Sequence, residues 1–284
     1  MVLSKKIFNF LDLIRFNKPI GFLLLLWPCC FSLAILQQKQ SDLMIWYIYF
    51  ILGAFLMRSV GCIINDIIDI NLDYKILRTA QRPLTTKKIT IFEAIIFLFF
   101  LLFLSLLILI QFNKSAILLG FFSLPLIILY PYMKRYTYWP QLVLGLIFNW
   151  GVLIISYQFY DKITYDFLLL YIGCIFWTLA YDTIYAYQDK EDDIKINIKS
   201  TAILFGNKGH KIVLLFYTIF FLIIGFLGYK LSGSLLSLVV IFVFIFTMLV
   251  YLSKWRIDSK NSSNYYFKFN NIIGLFCFIF LIVF

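Results

Sequence analysis

Residues 42–73 read DLMIWYIYFILGAFLMRSVGCIINDIIDINLD. From Leu43 to Met57 the run carries no charge, and apolar residues go on to Ile64. A stretch of roughly 20 such residues is long enough to cross a bilayer as a helix. Two features set this one apart. Arg58 lies within it, where a charge is costly and by default suggests function. Asn65, Asp66, Asp69 and Asp73 then close it, with Asn65, Asp69 and Asp73 spaced i, i+4, i+8. On a continuing helix those three form a stripe along one face. Arg58, seven residues before Asn65, is two turns deeper on that face.

The rest of the chain repeats the apolar theme. Of its 284 residues, 63% are hydrophobic and 14% are charged, against roughly 45–50% and about 25% for a soluble domain. A soluble fold of this length cannot hide so many Phe, Leu and Ile side chains, so lipid must be their solvent. Nine spans are predicted, at about 20–37, 42–66, 89–111, 115–133, 140–158, 165–188, 211–229, 234–253 and 267–284. The expectation is an all-α, polytopic membrane protein with one membrane domain over 1–284. Residues 1–18 read as an amphipathic segment on the membrane surface, with Phe8, Leu11, Ile14 and Arg15 at helical spacing. Span 1 holds Trp27-Pro28 rather than a small-residue cleavage site, so this segment reads as retained.

Charge orients the spans. Lys5, Lys6, Arg15 and Lys18 precede span 1, and most other Lys and Arg residues follow spans 2, 4, 6 and 8. The opposite loops hold only Lys39, Lys114, Lys162 and Lys230. By the positive-inside rule the first face is cytoplasmic. The net charge of +11 is therefore topological and does not point to nucleic acid. A multi-pass protein of a bacterial inner membrane is expected, with the mitochondrial inner membrane less favoured. The five cysteines lie in apolar runs without CxxC spacing, and His210 has no Cys or His near it in sequence, so there is no disulfide or zinc signal.

A second acidic window matches the first. Asp182, Asp189, Glu191, Asp192 and Asp193 fall together, and Tyr185, Asp189 and Asp193 repeat the i, i+4, i+8 spacing 120 residues after the first set. Both windows are predicted at the cytoplasmic face. Facing rows of carboxylates repel and raise each other's pKa unless cations lie between them. Hard oxygen ligands at a membrane edge favour Mg²⁺, which shares its shell with substrate phosphates. Such ions would bridge the rows to a diphosphate and stabilise its departure. Lys75, Arg78, Arg82, Lys190, Lys195 and Lys199 are at hand to complete an anion cradle. Tyr130 and Lys134, again i and i+4, end span 4 beside Arg135. Plainer readings exist. The acids could be solvated span ends, Arg58 a structural partner for Asp182, and Lys134 and Arg135 purely topological charges. A cation or organic-anion transporter is an alternative of another class, but it should carry polar residues along the whole membrane depth.

At these residues the chain resembles the UbiA family of intramembrane aromatic prenyltransferases. The family's NDxxDxxxD motif is matched by Asn65, Asp66, Asp69 and Asp73, followed by Arg78 to Leu84. Its YDTxYAxxDxxDD motif is matched by Tyr181 to Asp193, and its YxxxK pair by Tyr130 and Lys134. Asn17 to Gly21, Trp27-Pro28 and Met57-Arg58 also match. The stretch Tyr130 to Thr137, with Pro140-Gln141, is similar to the branch of the family that acts on 4-hydroxybenzoate.

The resemblance implies a bundle of nine helices around a central cavity, open to the cytoplasmic side and sideways to lipid. It implies transfer of a polyprenyl group from polyprenyl diphosphate to C3 of 4-hydroxybenzoate in ubiquinone synthesis, with Mg²⁺ as cofactor. An acceptor such as a naphthoate, haem or a chlorophyll intermediate is the alternative within the family. Asn65, Asp69, Asp73, Asp189 and Asp193 would hold the metal, with Asp66 and Asp192 assisting. Lys134, Arg78, Arg82, Lys195 and Lys199 would face the diphosphate or close a loop over it. Arg58 would take the acceptor carboxylate, with Arg135 and Arg15 as alternatives. Tyr130, Tyr185 and Asp182 would orient donor or acceptor. No obligate protein partner is implied.

Overall fold

The computed structural model describes residues 2–37, 42–76 and 78–284. Lys39, one of the cations expected on the sparse face, lies outside them. The described residues form helices and no strand: α1 (Val2–Leu13), α2 (Ile20–Gln37), α3 (Met44–Asp73), α4 (Ile91–Leu109), α5 (Lys114–Tyr136), α6 (Pro140–Phe148), α7 (Trp150–Tyr160), α8 (Tyr165–Ala186), α9 (Lys190–Lys195), α10 (Thr201–Phe205), α11 (Gly209–Ser232), α12 (Leu235–Leu252) and α13 (Lys260–Val283). Nine stretches among them are long and apolar enough to cross a membrane: α2, α3, α4, α5, α6 with α7, α8, α10 with α11, α12 and α13. The protein is thus all-helical and multi-pass, as the composition predicts.

Local sequence starts and stops these helices. At α4, Thr90 accepts a hydrogen bond from the Glu93 amide while Glu93 accepts from the Thr90 amide, a reciprocal cap. Asn113 caps α5 by accepting from the Ala116 amide at 2.8 Å. After α11, Gly233 takes a φ of 62°, a left-handed turn that glycine allows without strain.

Besides shifts at several span ends, two departures from expectation shape the site. The fifth span is not one helix. It breaks at Asn149, whose side-chain amide donates to the Gly145 carbonyl at 2.6 Å and to Thr178 Oγ1 of α8 at 3.0 Å. A side chain that competes for backbone acceptors interrupts a helix in this way. The sixth span ends at Ala186, so Tyr185, Asp189 and Asp193 do not share one continuous helix. The chain turns through Tyr187–Asp189 and restarts as α9.

The main core gathers around α8, which packs most extensively on α11 and α6. The Trp177 and Phe220 rings stack with centroids 5.1 Å apart. At this level a membrane bundle has no bulk hydrophobic drive between its helices and relies on packing and hydrogen bonds. Asn270 of α13 supplies them: its Oδ1 accepts from Trp177 Nε1 at 2.8 Å and from the Tyr217 hydroxyl at 2.9 Å, and its amide donates to the Tyr266 carbonyl. One buried side chain so ties α8, α11 and α13 together. Outward faces such as Phe92, Ile96 and Phe100 of α4, and Phe242 and Phe246 of α12, are exposed and meet lipid. Replacing Asn270 with Leu strands two buried donors, at about 1–3 kcal/mol each. Thermal unfolding in detergent should shift down by several degrees for the Asn270→Leu variant, and an unchanged midpoint would show that the tie is energetically idle.

Candidate active site

Between these helices lies a cavity of 1480 Å³. Its polar end is walled by Asn65, Asp69 and Asp73 of α3, by Asp189 and Asp193 around the start of α9, and by Arg78, Arg82, Lys134 and Lys199. One to two helical turns inward stand Arg58, Tyr130 and Asp182. Beyond them the wall is apolar, with Phe99, Phe103, Leu106, Phe112, Phe121 and Leu124. The two acidic windows, far apart in sequence, therefore face one space.

Carboxylates so close together need counter-charge, and each row has it. Asp69 is fully buried and takes the Lys134 ammonium, with Arg135 3.6 Å away. Asp73 accepts from Arg82 at 2.5 Å. Across the cavity Arg78 grips Asp189 through both Nε and Nη2, at 3.0 and 2.5 Å, the forked geometry that suits guanidinium to carboxylate. The same guanidinium sits 5.1 Å over the Tyr185 ring, which leans on Phe267 of α13 at 4.5 Å. Asp69 Oδ1 is buried with no hydrogen-bond partner, an oxygen with bonding capacity to spare at the cavity wall.

The bend after α8 carries the second row. Asp189 caps α9 and its carbonyl accepts from the Asp193 amide at 2.8 Å. This folds Asp193 back into the wall, where it is buried. Burial pushes its carboxyl up to about 7, with repulsion from Asp189 adding and attraction from Lys134 and Arg78 opposing.

Six of the expected residues lie off the cavity wall: Lys75 and Lys190, offered for the anion cradle, and the four described next. Asp66 is fully buried against Arg15 and Arg82. Asp192 turns outward to Lys195, 3.5 Å away, and to Lys260 of α13 at 4.0 Å. Lys195 is 73% exposed and points to solvent. Arg135 lies over the Tyr132 ring and donates to the Ile68 carbonyl at 3.1 Å. The other expected residues line the cavity, and so does Arg15.

Residues 25–277 match the UbiA prenyltransferase family. The chain belongs to that family. Among its relatives, the 4-hydroxybenzoate octaprenyltransferase of Blochmanniella pennsylvanica is 37% identical over 280 residues, covering 97% of this chain and 95% of that protein. The mitochondrial 4-hydroxybenzoate polyprenyltransferase of Drosophila pseudoobscura pseudoobscura is 47% identical over 201 residues, or 69% of this chain. That match spans half the length of the fly protein (50%). Solved structures agree on the fold. A UbiA homolog from Aeropyrum pernix K1 superposes with a TM-score of 0.74 at 21% identity, over 93% of this chain and 98% of that one. A UbiA homolog from Archaeoglobus fulgidus bound to GPP and Mg²⁺ gives 0.68 at 18% identity, over 97% and 100%. Membership of a prenyltransferase family removes the ground for the transporter alternative.

Some cavity residues play a part that the motifs do not assign them. Gly21 of α2 is one. A Cβ there would fall 2.6 Å from Nε and 2.7 Å from Nη2 of Arg58, so any side chain at this position would make the guanidinium shift. Phe148, just before the break at Asn149, lies beneath the same guanidinium, with Cζ 5.6 Å from its ring centroid. No carboxylate comes within ion-pairing distance of Arg58 among the described residues, so the structural pair with Asp182 does not form. Asn264, Lys268 and Asn271 of α13 also line the cavity, at the i, i+4, i+7 spacing of a single face.

The donor set at the polar end is oxygen only, which suits a hard divalent cation. Among the described residues no three acidic, His or Cys side chains close round one point. An ion that completes its shell with water and phosphate oxygens needs no such cage.

Asp193 yields a prediction that does not depend on any ligand. Its folded-state pKa lies above the ordinary carboxylate value, so the folded protein holds a proton that the unfolded chain has released. Stability from this group is full below about pH 4 and is lost as pH rises towards 7. Asp193→Asn should therefore raise the melting temperature in EDTA at pH 8 and by much less at pH 5. Equal shifts at both pH values would contradict the assignment.

Proposed function

We propose that this protein transfers a polyprenyl group from polyprenyl diphosphate to the carbon ortho to the hydroxyl of 4-hydroxybenzoate, with Mg²⁺ as cofactor. One observation carries the reading. Two carboxylate rows meet at the polar end of a cavity that is otherwise apolar, and an arginine without an acidic partner stands between the two regions. The names of the relatives support it, as does the Mg²⁺ bound with GPP in the Archaeoglobus homolog.

The residues divide the work by position. Asn65, Asp69, Asp73, Asp189 and Asp193 hold the metal, directly or through water. Bound there, Mg²⁺ supplies positive charge that stabilises the departing diphosphate. Arg78, Arg82 and Lys134, already at the carboxylates, are placed to take the diphosphate oxygens as they come in. The apolar wall takes the prenyl chain and keeps water from the allylic cation left when the carbon–oxygen bond breaks. A long chain leaves sideways into lipid. Arg58 holds the acceptor carboxylate in a fork, over the Phe148 ring. The aromatic ring attacks the cation, a carbon–carbon bond forms, and the ring then loses a proton.

We read the N-terminus and the polar end of the cavity as cytoplasmic, in a bacterial inner membrane; the bias of Lys and Arg towards one face supports the orientation. The donor diphosphate and the acceptor then arrive from the cytoplasm.

Purified protein incubated with geranyl diphosphate, 4-hydroxybenzoate and Mg²⁺ should yield the prenylated acid by mass, and EDTA should abolish it. Asp69→Ala and Asp189→Ala should each lose at least about a hundredfold in rate. Product from another aromatic acceptor alone would move the reading to that acceptor. A second test isolates Arg58. Gly21→Ala should raise the KM for the acceptor about tenfold, while the KM for the donor stays within about twofold. Equal effects on both would remove Arg58 from the acceptor site.

A further inference from the structure

Asp66 belongs to the acidic motif yet does not line the cavity. It stands seven residues, two turns, before Asp73, so both look out along the same strip of α3. Arg82 spans the pair: its Nη1 lies 3.0 Å from Asp66 Oδ1 and 2.5 Å from Asp73 Oδ2. Arg15 reaches the same Asp66 oxygen from the other side at 2.5 Å. Cation and carboxylate thus alternate in the order Arg15, Asp66, Arg82, Asp73.

The ends of this chain of charges are anchored in two separate segments. Arg15 takes a φ of 61° at the end of the N-terminal segment, and its guanidinium also donates to the Leu13 carbonyl at 2.6 Å. Leu13 is fully buried in a small core that it shares with Leu84 and Ile89 of the loop after α3. The N-terminal segment and the loop bearing Arg82 therefore meet on α3 and α4, and Asp66 is the polar link between them.

We propose that Asp66 is a positioning residue and not a metal ligand: it fixes Arg82 beside Asp73 and straps the N-terminal segment across the loop that carries Arg82. This rests on the metal–diphosphate reading of the cavity. Removing the Asp66 charge frees two guanidinium groups that are more than four-fifths buried. Arg82 then loses its orientation, and the anion loses a donor. The metal row keeps Asn65, Asp69 and Asp73 intact.

The test uses full-length protein in detergent, with Mn²⁺ and inorganic pyrophosphate as probes. Mn²⁺ uptake is followed by electron paramagnetic resonance at saturating pyrophosphate, and pyrophosphate binding by calorimetry at saturating Mn²⁺. Asp66→Asn should leave Mn²⁺ affinity within about twofold and weaken pyrophosphate about tenfold. Asp69→Asn should weaken Mn²⁺ about tenfold or more. Arg15→Gln, which leaves α3 untouched, should weaken pyrophosphate about threefold, and adding it to Asp66→Asn should cost nothing further. Loss of Mn²⁺ affinity in Asp66→Asn to the extent seen in Asp69→Asn would overturn the proposal. So would unchanged pyrophosphate binding in Asp66→Asn, or additive losses in the double variant. Wild-type protein that takes up neither probe would refute the metal–diphosphate reading itself, and the proposal with it.

Discussion

Carboxylates brought together in a space walled by hydrocarbon repel one another strongly, because little solvent is left to screen them. Much else in the molecule answers that repulsion. Arg78 and Arg82 come from the loop after α3, Lys134 from the end of α5 and Arg15 from the N-terminal segment, and each ends on an acid. The loops at this end are therefore constrained by electrostatics as much as by packing. The cations that neutralise the rows are also those best placed to receive a polyanion. A single set of charges serves both stability and binding.

The cavity changes character along its length, and the helices make it do so. The polar end is built from helix ends and the turns that join them, where charged residues are affordable. The apolar stretch is built from helix middles such as Phe99 and Phe103 of α4 and Phe121 of α5. Arg58 is the exception, a guanidinium placed well inside a span. Its position is tolerable because Gly21 withholds a side chain and Phe148 offers an aromatic face. Shape and quadrupole stand in for the carboxylate that an internal arginine would otherwise require.

Much of this could be read from residue order alone. The nine spans follow from apolar run length, and the first acidic stripe from i, i+4 spacing on a helix that does continue to Asp73. The same arithmetic fails at the second stripe. Spacing says nothing of a turn at Tyr187–Asp189, and the row is assembled by a bend instead of a helix face. Nor can a motif tell which acids look inward. Asp66 and Asp69 are three residues apart in one motif, but the first meets Arg15 and the second the cavity. That depends on where the N-terminal segment lands, which is a tertiary fact. The polar face of α13 had a visible signal in Asn264, Lys268 and Asn271, but it begins before the apolar run that marks the span.

The break at Asn149 has a consequence for biogenesis. By hydrophobicity, Pro140–Tyr160 is one segment of ordinary length, fit to enter the bilayer as a single rod. The partner that receives the Asn149 amide is Thr178, which belongs to the next segment synthesised. A chain emerging N-terminus first offers the fifth segment to lipid before Thr178 exists beside it. The Gly145 contact is available to the segment on its own, whereas the Thr178 contact that fixes the kink against α8 forms only on assembly. The wall that carries Phe148 takes its final shape only after the sixth segment has docked.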